Sequence, residues 1–492
     1  MKIASQAGVF ALIVALTSLL GFIREVIIAR HFGLSSQMDC FISAFAIVTF
    51  VAAIFSPQTF QPMFMPAYKD ALKKGGTQAN ILCNNMALLL LLLMLLITAF
   101  MYIFAPYMVR MILPGFTTEK LHLTAHLLQL MLPIVATSGL ISLAHALCNS
   151  HQQFLYPVCT QTINNLLVIS LLIFIPIQSV NSLATYYVYG NLLSCIMLIF
   201  AYFHFTSSPQ INLRHRHYLD NISLTWLLLI VAMIDQSAIF LPRSFASTLA
   251  HGDITALGYA FRLITLPVSI LAAAIVSVLF PRIIAHVRDT PERALATIRV
   301  ASNLLLYCLL PVTIFTFSES RAIVSVLFSS RQFNEVAVNH TATALSFYSL
   351  GILGLGYNLF LNRVYAAYGA YWTYVKFSIL AFIGLFGLMS VGIELLQFRG
   401  IALAFSLASC TLSAALTLNL RRFGLKRVIS YHSLLNLAIS SLLTLLLLIY
   451  LPDTSLPLLG AKAAIYLASF YAILWVLRDA ALQNIVKELK NN

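Results

Sequence analysis

Charge is what this chain has least of. Of its 492 residues, 9% are Asp, Glu, Lys or Arg and 60% are hydrophobic. A soluble chain of this length would divide into several domains, each needing polar surface that is missing here. Acidic residues are scarcer still, 15 against 29 Lys and Arg. Such an excess suits nucleic acid only when it gathers on a soluble basic face, and no segment is polar enough to form one. Nucleic acid is therefore not an expected partner. The excess reads as the positive-inside bias of membrane-protein loops.

Other absences narrow the class further. The seven cysteines, Cys40, Cys83, Cys148, Cys159, Cys195, Cys308 and Cys410, form no C-x-x-C pair, and most lie inside apolar runs. They read as small buried hydrophobes, not as bridges or metal ligands. The twelve His show no H-E-x-x-H spacing, so no metal is expected. No nucleophile–base constellation, Walker A loop or dinucleotide fingerprint is present, which argues against an enzyme and against direct ATP coupling. No cofactor is expected, and transport would draw on the membrane potential, an ion gradient or removal of substrate on the far side. Lys2 followed by an apolar run imitates a signal peptide. The run lacks an A-x-A-like cleavage site and continues to Ala29, so it reads as a retained helix.

What is present is a succession of apolar runs long enough to cross a bilayer. They predict about fourteen helices, near 4–29, 40–65, 86–109, 123–147, 156–177, 183–205, 223–248, 256–280, 297–317, 341–366, 372–396, 400–420, 433–451 and 459–477. The split at Gly369 separates the tenth from the eleventh. Connections are short and punctuated, as at Pro114-Gly115, Asp289-Thr290-Pro291 and Gln397-Phe398-Arg399-Gly400. The fold class is all-α and polytopic. With the N-terminus inside, the basic loops carrying Lys69, Lys73, Lys74, Arg214, Arg216, Arg282, Arg288, Arg293, Arg421 and Arg422 are cytoplasmic, as is the tail with Lys487 and Lys490. Arg30, Arg110, Lys120, Arg243, Arg321, Arg331, Arg399 and Lys462 fall on the other side. Both termini are thus placed in the cytoplasm.

A weak repeat joins Asp39-Cys40-Phe41 … Phe64-Met65-Pro66 to Ala256-Leu257-Gly258-Tyr259 … Leu279-Phe280-Pro281. Six helices plus six plus two would fit parallel repeats. The expected divisions are 1–217, 218–427 and 428–492.

The few charges inside apolar runs are the candidate functional residues, because an ionisable group at membrane depth costs about 2.5–3.5 kcal/mol or more. Arg24 lies in the first helix, where Thr17, Gly21 and Arg24 at i, i+4 and i+7 share one face. The small Gly21 permits close approach beside it. A plain alternative is that Arg24 snorkels to the outer interface. Glu25 lies about 100° away and would pair with Arg30 or an interfacial group. Arg262 sits a turn or two into the eighth helix. It would either pair with Asp235 of the seventh, beside Gln236, or face a cavity and bind an anion through its planar fork of donors. Lys376, between Tyr374 and Phe377, is a second cavity cation or an interface residue. Asn165, with Asn164 and Gln161, reads as an interhelical hydrogen-bond partner.

These residues resemble the MurJ/MviN family of lipid II flippases, within the multidrug/oligosaccharidyl-lipid/polysaccharide exporter superfamily. The resemblance is carried in order by Leu20-Gly21-Phe22-x-Arg24, Ala29-Arg30-x-Phe32-Gly33, Asp39-x-Phe41-x-x-Ala44-Phe45 and Phe64-x-Pro66. Pro114-Gly115-Phe116, Leu127-Leu128-Gln129, Asn149, Phe154, Pro157 and Asn165 follow. The second half supplies Tyr259-Ala260-x-Arg262-Leu263, Pro267, Leu279-x-Pro281 and Leu310-Pro311.

The resemblance implies two six-helix lobes around a central cavity, plus two C-terminal helices grooved for a polyprenyl tail. It also implies alternating access in the bacterial inner membrane. The cargo it implies is an undecaprenyl-diphosphate-linked peptidoglycan precursor, with Arg24 and Arg262 among the headgroup-binding arginines and Asp39 a functional acid near the outer gate. Gly21, Ser18 and Lys376 complete the expected substrate site, while Glu25, Arg30, Asp235, Gln236 and Asn165 are gating or structural. Membrane lipids are the other partners, and a monomer is the expectation. The chain departs from the family in having Ser18 for an arginine, Ala52-Ala53 for a basic pair, Pro57-Gln58 for an acidic-glycine pair, and Tyr371-Trp372-Thr373 for a lysine-threonine-proline element. A less cationic cavity leaves three alternatives to lipid II transport: export of an O-antigen or exopolysaccharide lipid, small-molecule antiport, or a non-transporting scaffold for wall synthesis.

Overall fold

The computed structural model describes residues 2–175, 179–206, 222–424, 431–449, 456–477, 479 and 482–483. Among them every regular element is a helix. In an apolar medium each backbone N–H and C=O must be satisfied within its own segment, which a helix does and an open strand does not. The described residues fall into two compact units, one formed by 1–28 with 34–255 and the other by 29–33 with 256–492. The expected divisions at 217/218 and 427/428 lie outside the described residues.

The first unit holds α1 (Lys2–Phe32, its last turn counted with the second unit), α2 (Ser36–Ile54), α3 (Pro57–Lys74) and α4 (Gly76–Ile112). It continues with α5 (Thr118–Ser150), α6 (Leu155–Phe174), α7 (Val180–Phe205) and α8 (Ile222–Ala246). α5 is the central post, packed against α2, α3, α4 and α7. Its Leu127, Leu128, Met131 and Val135 are completely buried. Ser35 starts α2 by accepting the Met38 N–H on its side chain. The run expected over 40–65 is one candidate span, Ser36–Pro62, broken between α2 and α3. Pro57 opens α3 after Ser56, because proline has no N–H to give the preceding turn and suits a first helical position. α3 then lays Phe60, Phe64 and Tyr68 against Leu82, Cys83, Met86 and Leu147. α4 has 37 residues, about 55 Å at 1.5 Å per residue, so it extends well beyond a ~30 Å hydrocarbon core.

The second unit holds α9 (Asp253–Pro267, its first turn counted with the first unit), a π-helical turn (Val268–Ala272) and α10 (Ala273–Asp289). These are followed by α11 (Pro291–Ser318), α12 (Ser320–Phe328), α13 (Glu335–Ser349) and α14 (Ile352–Ala367). The chain closes with α15 (Tyr371–Leu396), α16 (Phe398–Asn419), α17 (Tyr431–Ile449) and α18 (Leu456–Val476). The run expected at 256–280 is therefore one span from 253 to 287 that widens after Pro267. A missing donor inside a helix is a common cause of such a bulge. The run expected at 341–366 is a pair, α13 and α14, bent by 45°. Gly369, at φ +67°, ends α14 and allows α15 to begin, as expected. α12 is a short helix the sequence reading did not separate.

Ten helices are long and apolar enough to cross a membrane among the described residues, or eleven with the bent pair. Their outward faces are apolar. Leu92, Leu96 and Ile103 on α4, and Leu380, Ile383 and Leu395 on α15, are all exposed. Exposed apolar side chains of this size on each unit suit lipid rather than water.

Candidate functional site

Arg24 does not snorkel. It is 9% exposed, enclosed within the first unit. The shared face of Thr17, Gly21 and Arg24 packs on α6. Thr17 Oγ1 lies 2.6 Å from Thr162 Oγ1, and the Asn165 amide donates to Thr17 O at 3.1 Å. A Cβ added to Gly21 would come 3.4 Å from that same amide nitrogen. Asn165 thus lies directly against the Gly21 face of α1. Its Oδ1 then accepts from Arg24 Nη1 at 3.0 Å.

The other side of the guanidinium meets Glu25. Arg24 Nη2 donates to Glu25 Oε1 at 3.0 Å. Neighbouring residues on a helix point about 100° apart, and the long arginine side chain folds back to close that angle. Glu25 is therefore engaged by Arg24. Arg30, its other expected partner, donates from Nε to Leu327 O at 2.8 Å and from Nη2 to Val326 O at 3.2 Å, ending α12. Tyr187 of α7 covers Arg24, its ring centroid 4.5 Å from the guanidinium carbon. The Tyr187 hydroxyl also donates to Glu25 Oε1 at 3.4 Å. Phe41 and Phe45 of α2 pack against the Tyr187 ring edge-on at 5.6 and 5.0 Å. Arg24 Nε is buried without a hydrogen-bond partner. Both terminal nitrogens of the fork are thus engaged and Nε has no partner.

A second polar cluster surrounds Asp39, which is 1% exposed. Its Oδ2 accepts from Gly252 N at 2.7 Å, and its Oδ1 from Thr255 N at 3.0 Å and Thr255 Oγ1 at 2.7 Å. Asp39 therefore serves as an N-cap for α9, a helix more than two hundred residues away in sequence. Lys120 Nζ lies 3.6 Å from Asp39 Oδ2 and 2.8 Å from His251 Nδ1.

The remaining candidates are not drawn into either cluster. Ser18 Oγ donates to Val14 O at 3.0 Å, within its own helix. Asp235 is exposed and Gln236 partly exposed on α8. Arg262 is exposed on α9, in the second unit. Lys376 is exposed on α15, with Nζ 5.8 Å from the Trp372 ring centroid. Among the described residues no group of three or more His, Cys, Asp or Glu could hold a metal ion.

Two features escaped the sequence reading. Tyr187 carried no signal, since one tyrosine in an apolar helix is unremarked. Lys462 did carry one. Counted with the outer charges, it is 4% exposed in α18 and pairs with the buried Glu319 at 2.9 Å. A charge within an apolar run was the clue.

Comparison with known proteins agrees with this architecture. A curated relative named probable lipid II flippase MurJ, from Buchnera aphidicola subsp. Schizaphis graminum, is 26% identical over 372 residues, covering 72% of this chain and 70% of that protein. The lipid II flippase MurJ of Burkholderia cenocepacia is 23% identical over 423 residues, covering 83% and 82%. Among solved structures, a lipid II flippase MurJ in an inward closed conformation superposes with a TM-score of 0.82 at 18% identity, over 97% of this chain and 99% of that one. An inward-facing multidrug resistance transporter of the MATE family gives 0.69 at 14% identity, over 83% and 94%. The MurJ family consists of membrane-embedded flippases, not of known enzymes. The family's sequence profile, described as lipid II flippase MurJ, matches residues 28–475, and the chain belongs to that family.

Proposed function

We propose that this protein carries lipid II across the bacterial cytoplasmic membrane, from the inner to the outer leaflet, by alternating access. The observation that carries the site assignment is the buried Arg24, whose guanidinium keeps an unpartnered donor beside an internal counter-ion. A diphosphate cannot cross hydrocarbon bare, and a fixed guanidinium in a low-dielectric setting lowers that cost. Guanidinium also matches phosphate oxygens in a bidentate manner. Arg262 is the second headgroup cation in this reading, and Asp39 governs the outer end through its hold on α9.

The reading extends to topology. Fourteen crossings would comprise the ten long helices, the bent α13–α14 pair, and α1, α8 and α17, with both termini in the cytoplasm. The protein works as a monomer without a cofactor, driven by the membrane potential or an ion gradient, and performs no catalysis.

Complementation tests it. A bacterium depleted of its own lipid II flippase is given this chain, and lipid II is assayed in each leaflet with an enzyme added outside spheroplasts. Restored growth with outer-leaflet lipid II is expected. Accumulation on the inner leaflet, with the protein present in the membrane, overturns the proposal. Loss of rescue in Arg24→Ala and Arg262→Ala assigns those two residues to transport, and full rescue in both removes them from it.

A further inference from the structure

We propose that Glu25 occupies, in the empty protein, the place a substrate phosphate oxygen takes, and that Tyr187 is the positioning residue that holds Arg24 while the two anions exchange. The inference rests on the reading that Arg24 binds the diphosphate.

The geometry of the fork leads there. Nη1 is committed to Asn165, on the face shared with α6. Nε and Nη2 form the opposite edge, the pair of parallel donors that a phosphate takes through two oxygens. Of that edge, Nη2 is held by Glu25, and Nε is buried and unpartnered. Glu25 thus satisfies half of a bidentate site. A buried guanidinium with no anion at all would be costly, so an internal carboxylate keeps the empty site near neutral. Glu25 is not sealed in. Its side chain is 13% exposed, so it can turn away when a stronger bidentate anion arrives.

Exchange creates a second problem. While Glu25 leaves, Nη2 loses its partner, and a long, flexible side chain anchored by one hydrogen bond would wander. Tyr187 supplies the missing restraint from the ring face, 4.5 Å from the guanidinium carbon. Stacking of this type survives a change of hydrogen-bond partner at the edge, because it acts perpendicular to the plane. The ring is itself braced by Phe41 and Phe45, which meet it edge-on. Its hydroxyl, 3.4 Å from Glu25 Oε1, offers the carboxylate a foothold on departure.

Binding of undecaprenyl diphosphate to the full chain in nanodiscs separates the roles. Tyr187→Leu removes the ring face and weakens binding about tenfold, the scale of a desolvated cation–π contact. Tyr187→Phe keeps the face, loses only the long hydroxyl contact and recovers to within about threefold of the native protein. Glu25→Gln removes the competitor and tightens binding, opposite in sign to a merely structural loss. Equal binding by Tyr187→Leu and Tyr187→Phe, or weaker binding by Glu25→Gln, overturns the proposal. Should Tyr187→Leu fail to fold, the sign of the Glu25→Gln change decides. Arg24→Ala distinguishes the underlying reading: if it binds undecaprenyl diphosphate as the native chain does, Arg24 is not the diphosphate ligand. If Arg24→Ala loses binding while the Tyr187 and Glu25 variants match the native protein, only the exchange fails.

Discussion

The buried pair between Lys462 and Glu319 gives the sharpest stability prediction. Its N···O distance is 2.9 Å, and the two side chains are 5% and 7% exposed. Lys462 belongs to α18, and Glu319 sits at the junction of α11 and α12. Lys462→Met removes the cation facing a buried carboxylate, and Glu319→Gln removes the anion facing a buried ammonium. Breaking such a pair from one side costs about 3–5 kcal/mol. Helix-insertion scales for a lone charge suggest a floor near 2.5 kcal/mol. Changing both residues together leaves no orphan charge, and such neutral replacements range from harmless to stabilising. Independent effects would sum to roughly 6–10 kcal/mol, so a double variant within about 1–2 kcal/mol of the native protein gives a coupling of several kcal/mol. Unfolding by SDS in mixed micelles reads all four corners of the cycle. Single changes under about 1 kcal/mol, or additivity within ~0.5 kcal/mol, would refute the reasoning. The Tyr471 hydroxyl adds a further tie between α18 and α11, donating to Tyr307 O at 3.1 Å.

Three more outcomes are expected. Asp39→Ala leaves the Gly252 and Thr255 amides without their acceptor and lowers stability by about 1–3 kcal/mol, whereas Asp39→Asn keeps one acceptor and loses less; thermal midpoints in detergent order the two. Gly33→Ala costs at least ~1–3 kcal/mol, because φ is +57° and the new Cβ would meet the Gln332 carbonyl oxygen; a midpoint within error of the native protein's contradicts the left-handed conformation. Asp479 titrates below its ordinary value of 3.8. Burial pushes it up, but hydrogen bonds from Tyr307, the Leu482 amide, Asn436 and Ser433 together outweigh burial. A depressed carboxylate adds stability that is complete above the ordinary value and fades as pH falls from there through the folded-state value. The native chain's stability advantage over Asp479→Asn should therefore shrink below about pH 3.8, and an advantage independent of pH in that range disproves the assignment.

The parts of the molecule that were legible in the sequence are those decided by local pattern. Leu88 to Leu96 has no option but a helix in lipid, and Gly369 marks a break because its backbone must turn left-handed there. Arg24 stood out because charge in an apolar run requires a reason. Asn165 was legible as an interhelical hydrogen-bond residue, but its pairing with Arg24 was not. Asn165 is 141 residues away, and Tyr187 lies on another helix altogether. Glu25, being adjacent, seemed to face elsewhere, since ideal helical angles ignore how far arginine can fold back. Proline-induced widening after Pro267 and the break before Pro57 depend on how neighbouring helices accept the bend. Hydropathy averages over such features.

The cap that Asp39 provides has a consequence for how the chain is made. Its acceptors wait for donors at Gly252 and Thr255, which leave the ribosome long after α2 has entered the membrane. Lys120 emerges sooner and reaches the same carboxylate at 3.6 Å. Between Lys120 and Thr255 lie about 135 residues, roughly 7–27 s of synthesis at 5–20 residues per second. During that interval Lys120 is the partner within reach of Asp39 in the part of the chain already made, later joined by the amides of α9. Removing Lys120 should therefore weaken the partly made chain more than the finished protein, whose Asp39 keeps the Gly252 and Thr255 donors.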